Sequence, residues 1–258
     1  MKIVVIGTGH MGLWLAETLA RSHQVAVFDI DPDKTRNLPI YLTRLETLNQ
    51  VHEFKPWMLI NAVTLSATLS VFQEILPYVP EETILCDIAS VKSGFHEFYL
   101  STGRRFVSVH PMFGPTFANL QQLQNENAVI ITESDQEGTA LFFKLFTELK
   151  QNIFEYSFEE HDRIISYSLS IPFISTMVFA ACMNNKAVPG TTFKKHLNIA
   201  QGLLSESDNL LAEILFNPFT VEQIEKINSR LTYLTHIIKD RDFEEMQKFF
   251  NRLRDNVK

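Results

Sequence analysis

His110 stands in the run Val109-His110-Pro111-Met112-Phe113-Gly114-Pro115, where two prolines restrict the backbone and a glycine leaves room that a side chain would fill. An imidazole held in one pose suits a group that moves a proton, because its ordinary pKa of about 6.5 lets it accept one near neutrality. Upstream, Asp87-Ile-Ala-Ser90-Val-Lys92 puts a small hydroxyl after an apolar run, placed to orient a substrate hydroxyl or the ring itself. Near the start lies Gly7-x-Gly9-x-x-Gly12. A nucleotide turn and a candidate base in one chain point to alcohol oxidation, His110 taking the hydroxyl proton as hydride leaves the same carbon. Each residue also has a plainer role: His110 bonding loop carbonyls, Ser90 capping a helix, Lys92 as a solvated charge.

The glycine run has the surroundings that phosphate binding needs. Lys2 to Ile6 is a short β-branched run and Met11 to Ala20 follows with helical apolar spacing, so strand, turn and helix come in order. The first glycine permits the tight turn, the second lets backbone approach a pyrophosphate, and the third brings helix against strand. The expected cradle is Gly7, Thr8, Gly9, His10, Met11 and Gly12, completed by Ala62 and Val63 at the end of another apolar run. Gln24 to Phe28 ends at Asp29, 17 positions after Gly12. That is close to the spacing of about 20 at which a carboxylate binds the adenosine ribose, which favours NAD over NADP. Lys34 and Arg36, which would suit a 2'-phosphate, lie several residues beyond the strand end.

These groups need elements to hold them. Apolar runs recur at Trp57 to Val63, Thr83 to Cys86, Arg105 to Val109, Ala128 to Ile131 and Asn152 to Tyr156, with helix-like segments between most of them. The alternation predicts an α/β fold, an N-terminal Rossmann-type doubly wound parallel sheet over residues 1–156. From Ser157 helix-length segments follow one another, so residues 157–258 are expected to form an all-helical C-terminal domain. Asn61, Asp87 to Ser90 and His110 all follow predicted strands, so they should converge beyond the carboxyl ends of the sheet.

Composition narrows the classes. A net charge of −7 without a basic run argues against a nucleic-acid partner. Cys86 and Cys182 lack metal-ligand or disulfide spacing, so no metal is expected and a reducing cytoplasm fits. The first strand starts at residue 2, leaving no room for a secretion signal. Residues 164 to 183 carry no charge, yet serines and Pro172 interrupt them. A helix buried on all sides, or at a subunit interface, is expected there rather than a membrane span.

Three stretches together, GTGHMG, DIASVKSGF and VHPMFGP, resemble prephenate dehydrogenases of tyrosine biosynthesis, and the similarity continues through Glu160-His161-Asp162-Arg163. The resemblance implies NAD-dependent oxidative decarboxylation of prephenate to 4-hydroxyphenylpyruvate. By that likeness His110 accepts the C4 hydroxyl proton, Ser90 bonds the same region, and the helical domain builds a homodimer. Two places depart from the pattern: Ser170-Ile171-Pro172-Phe173 stands where many relatives carry His-Leu-Pro-His, and Leu203 falls where they carry a carboxylate-binding arginine. Substrate contacts are therefore expected at Ser90, Gly114, Thr116, Ser170, Lys194 and Lys195, the two lysines supplying positive charge. The alternatives are a dehydrogenase for arogenate or another hydroxy acid, and a non-catalytic NAD-binding regulatory protein.

Overall fold

Mostly apolar runs form the strands, and the central strands of the sheet they build are buried on both faces. In the computed structural model, which describes residues 1–113, 123–184 and 188–258, the first half reads β1 (Lys2–Ile6), α1 (His10–Ala20), β2 (Gln24–Phe28), β3 (Leu42–Arg44), α2 (Asn49–Phe54), β4 (Met58–Asn61), α3 (Leu65–Ile75), β5 (Ile84–Asp87), α4 (Phe95–Thr102), β6 (Phe106–Pro111), β7 (Asn127–Ile131), α5 (Gln136–Glu148) and β8 (Asn152–Tyr156). The sheet order is β3-β2-β1-β4-β5-β6-β7-β8. Ile3 and Val5 face a core with Leu15, Leu19, Phe142 and Phe146, whereas Val4 and Ile6 face one with Leu59, Phe72, Phe98 and Tyr99. Burial on both sides is why these strands are continuous apolar runs rather than alternating ones.

The sheet is parallel from β3 to β6, but β6 and β7 pair antiparallel before β8 pairs parallel to β7. The sequence pattern, read as parallel throughout, marks where strands lie and not which way a neighbour runs. It also passed over β3, whose three residues Leu-Thr-Arg bury only the leucine at a sheet edge. Register aligns the carboxyl ends: Phe28 and Asn61 both flank Ile6, Asn61 faces Asp87, and Asp87 faces Ser108. The loops beyond these residues therefore open on one edge, with His110 two residues further along β6.

Gly12 shows how tightly that edge is built. A Cβ at this position would lie 2.0 Å from the Gly7 carbonyl oxygen, so backbone and not a flexible side chain blocks it. Gly12→Ala is expected to cost about 1–3 kcal/mol, the range for overpacking, and to weaken nucleotide binding. An unchanged urea midpoint would contradict the close approach.

No strand follows Tyr156 among the described residues. The chain continues through α6 (Phe158–Ile165), a π-helical turn at Ser166–Ser170, α7 (Ile171–Ala181), α8 (Thr191–Leu203), α9 (Asp208–Leu215), α10 (Thr220–Asp240) and α11 (Phe243–Asn256). Ser157 starts α6 through a capping box, its hydroxyl accepting from the Glu160 N–H while the Glu160 carboxylate accepts from the Ser157 N–H. The expected single helix at Glu160 to Asn184 is thus divided by the π turn. Its expected burial on all sides is also corrected, since α7 contains no buried residue. By length and composition Phe158–Ala181 would span a bilayer, and only 17% of its most apolar window is buried inside the chain. The apolar side chains of α7 thus exceed what the chain itself can cover.

Candidate active site

The glycine turn comes together as expected. Gly7 adopts a positive φ of 88°, and a Cβ there would meet Ala62 and the Val63 side chain at 3.0 Å, so those two residues wall the turn. Asn61 holds that wall in place. Its amide donates to the Thr68 carbonyl (2.9 Å), and its oxygen accepts from the Val63 N–H (3.4 Å). Asp29 accepts the Thr8 N–H at 2.7 Å and the Thr8 hydroxyl at 2.9 Å on one oxygen, and the Asp31 N–H on the other. Burial works against its charge, but these donors, with Lys34 nearby, hold the carboxyl below its ordinary range. Gly9 precedes α1 with open space where a side chain would stand, and His10 and Met11 open the helix, His10 exposed.

His110 is buried at the end of β6, and its partner is not Ser90. Its Nδ1 lies 3.0 Å from Nε2 of His161, whose Nδ1 lies 2.9 Å from Asp162 Oδ1. The same Asp162 oxygen accepts the Lys92 backbone N–H at 2.7 Å. Beneath this chain lies a second buried cluster. The Lys92 ammonium donates to Asp87 Oδ1 and, at 2.8 Å, to the Val109 carbonyl, while the Tyr99 hydroxyl donates to Asp87 Oδ2 at 2.8 Å. Burial pushes the Tyr99 phenol well up, so it remains a donor. Lys92, read from sequence as a solvated charge, is one of the most completely buried side chains in the protein. It ties the loop after β5 to the strand that carries His110.

Burial, more than any neighbour, sets the protonation of the upper chain. It pushes His110 well below its ordinary value, with His161 and the Lys92 ammonium adding to the effect, and lowers His161 to about 3. It also raises Asp162 to about 6 against the pull of Lys92. The consequence for stability has a definite sign. Below pH 6.5 the unfolded chain protonates both imidazoles and the fold does not, so stability falls; between about pH 6 and 4 the folded Asp162 takes up one proton, which offsets one of the two. The cluster should thus lose stability as the pH falls from 6 to 4, because the unfolded chain binds more protons than the fold does. Urea unfolding at pH 6, 5 and 4 measures it. Equal stabilities across the window would rule out a neutral buried pair.

The remaining expected site residues divide. Ser90 is half-exposed on the loop beyond β5 and makes no hydrogen bond among the described residues. Gly114 and Thr116 lie outside those residues. Ser170 is buried, with its hydroxyl 2.9 Å from that of Thr220. Lys194 and Lys195 are exposed on α8 and touch neither His110 nor its partners among the described residues. Leu203 is buried. Asn61 and Asp87, grouped with His110 by their positions after strands, spend their side chains on holding loops. Sequence reasoning missed Lys92, His161 and Asp162 as parts of the site. The available signals were the charge pair Asp87 and Lys92 flanking an otherwise uncharged stretch, and the run Glu160-His161-Asp162-Arg163 in which the family likeness continues.

A glycine turn at a helix start, an acid at the end of β2 and a mostly parallel sheet define a Rossmann-type nucleotide-binding protein with a helical remainder. Residues 15–153, more than half of the chain, match the family model for the prephenate dehydrogenase nucleotide-binding domain, and the chain belongs to the prephenate dehydrogenase family. It is 26% identical over 263 residues to a probable arogenate/prephenate dehydrogenase of Methanocaldococcus jannaschii, covering 95% of this chain and 58% of that one. It is 21% identical to chloroplastic arogenate dehydrogenase 1 of Arabidopsis thaliana, covering 88% of this chain and 38% of that one. The chain thus spans little more than half, or less, of the length of these curated relatives. Among solved structures, prephenate dehydrogenase from A. aeolicus in complex with hydroxyphenyl propionate and NAD+ superposes with a TM-score of 0.83 at 15% identity, covering 100% of this chain and 97% of that one. Synechocystis arogenate dehydrogenase does so with 0.76 at 17% identity, covering 100% and 99%. These two likenesses establish the shared fold.

Proposed function

We propose that the chain is an NAD-dependent dehydrogenase that oxidatively decarboxylates prephenate to 4-hydroxyphenylpyruvate in tyrosine biosynthesis. The observation that carries this reading is His110 itself, kept neutral by burial near the end of strand β6, which shares its sheet with the strand that leads into the glycine turn. A neutral imidazole there would accept the C4 hydroxyl proton, and Ser90, with no partner among the described residues, would bond the same region. Loss of hydride from C4 sets up loss of carbon dioxide, and aromatisation drives the step, so the protein mainly orients and deprotonates.

Gly7, Thr8, Gly9, His10, Met11 and Gly12, walled by Ala62 and Val63, would hold NAD, and the space denied to any Cβ at Gly7 and Gly12 fits backbone drawn close to a pyrophosphate. When bound, NAD supplies the hydride acceptor. Asp29, kept anionic by its donors, is suited to a ribose hydroxyl and unsuited to a 2'-phosphate. In this reading residues 1–156 bind NAD, and residues 157–258 complete the substrate site and form a homodimer through helical faces that the chain leaves uncovered. Light scattering showing a monomer at micromolar concentration would remove the dimer.

Arogenate is the second reading, favoured by Ser170 and Leu203 at two family substrate positions and by relatives described as arogenate dehydrogenases. The test is one assay: purified protein with NAD or NADP and prephenate or arogenate, following absorbance of reduced nicotinamide. Turnover with NAD and prephenate is expected. Turnover of arogenate alone would move the substrate, and tight NAD binding with neither substrate consumed would favour another hydroxy acid or a non-catalytic regulatory role.

A further inference from the structure

We propose that His161 and Asp162 are positioning residues that lock His110 in its Nδ1–H tautomer, so that Nε2 is the atom left to accept a proton. The inference rests on the reading of His110 as the base, and it names the reacting atom and what selects it.

The argument is a count of donors and acceptors along the chain of contacts. A backbone N–H can only donate, so Asp162 Oδ1 is an acceptor toward Lys92 N at 2.7 Å. Above its pKa of about 6 Asp162 carries no proton on Oδ1, so the ring nitrogen 2.9 Å from that oxygen donates as well, which puts the His161 proton on Nδ1. This holds whether or not the second Asp162 oxygen carries a proton. Burial keeps His161 neutral, so its Nε2 is bare and can only accept. The Nδ1 of His110, 3.0 Å away, must then carry the proton of that pair. Since His110 is neutral too, its Nε2 keeps a free lone pair, and it has no hydrogen-bond partner among the described residues.

The opposite tautomer would place two bare nitrogens against each other in a dry site, which is repulsive and leaves both unsatisfied. The selecting groups come from the other half of the chain. His161 and Asp162 lie on α6, the first helix after the sheet, and Asp162 is held by Lys92 from the β5 loop and through its own carbonyl by the Asn217 amide at 2.9 Å. Asn217 is in turn fixed by the Phe219 N–H at 2.9 Å. Seating of α6 against the sheet edge therefore determines which nitrogen of His110 is basic.

The test is nitrogen NMR of protein labelled in histidine, with His110 assigned by loss of its signals in His110→Asn. Couplings between ring nitrogens and carbon-bound protons distinguish a protonated nitrogen from a bare one without substrate. Wild-type protein is expected to show Nδ1–H and bare Nε2 at His110. His161→Gln, which can place an amide oxygen where Nε2 stood, is expected to keep that state. His161→Leu is expected to lose it and to lower kcat roughly tenfold or more, with KM and NAD affinity within about twofold. A wild-type His110 protonated on Nε2, or a His161→Leu spectrum unchanged from wild type, would overturn the proposal. The wild-type spectrum decides it even if the leucine variant does not fold. The expected tautomer in a protein that turns over no substrate would leave this inference standing and remove the reading of His110 as base.

Discussion

Replacement of His110 by asparagine is expected to lower kcat/KM by roughly 10²–10⁴, the usual contribution of a positioned general base, while NAD affinity stays near wild type. The side chain lies near the end of β6, where His110 is paired with Val129 of β7, and its replacement leaves the glycine turn and Asp29 untouched. Asparagine can offer hydrogen bonds but cannot take a proton at neutral pH, so the loss falls on the chemical step. The low pKa that burial imposes on His110 adds a second signature. The acid limb of kcat/KM that reports free His110 should lie below its ordinary 6.5. Initial rates over a pH series, with NAD binding measured by fluorescence, provide both readouts. A loss under tenfold would show that another group removes the proton.

Lys92→Met is expected to destabilise the protein by about 3–5 kcal/mol, the cost of leaving a buried charge without its partner. The ammonium is the only cation in contact with Asp87 among the described residues, and both side chains are shut off from solvent. Without it the Asp87 carboxylate retains only the Tyr99 hydroxyl and the Ala89 N–H. At about 2–4 °C per kcal/mol for a chain of this size, the melting point should fall by roughly 10 °C. Adding Asp87→Asn to Lys92→Met removes the orphaned charge and should recover most of the loss. Denaturant titration of the two single variants and the double variant checks this, and additive losses would mean that the pair is not coupled. Loss of Lys92 also removes a positive neighbour that holds His110 and His161 down, so the acid limb should move upward in any variant that still folds.

Much of the site was legible in the chain because its signals are local. Gly7, Gly9 and Gly12 between an apolar strand and an amphipathic helix specify a turn through backbone sterics, and Asp29 follows a second strand at the right distance. The placement of His110 after a β-branched run was legible for the same reason. What sequence patterning missed is just as specific: the three-residue β3, the reversal of β7, the π turn that splits the helix after Tyr156, and the burial of Lys92. In each case a neighbour that is distant in sequence supplies the deciding term, such as the Ser170 to Thr220 contact across the π turn.

The sequence by itself determined every strand but β3, the nucleotide turn and the presence of a histidine at the end of an apolar run, since apolar periodicity and glycine or proline sterics act over a few residues. Only the tertiary structure decided which partner that histidine has and in which protonation state it rests. His161 is 51 residues from His110, and Asp162 is 70 residues from the Lys92 N–H that orients it. Desolvation, which keeps both imidazoles neutral, arises when α6 closes over the end of the sheet, and no local pattern of residues encodes that closure.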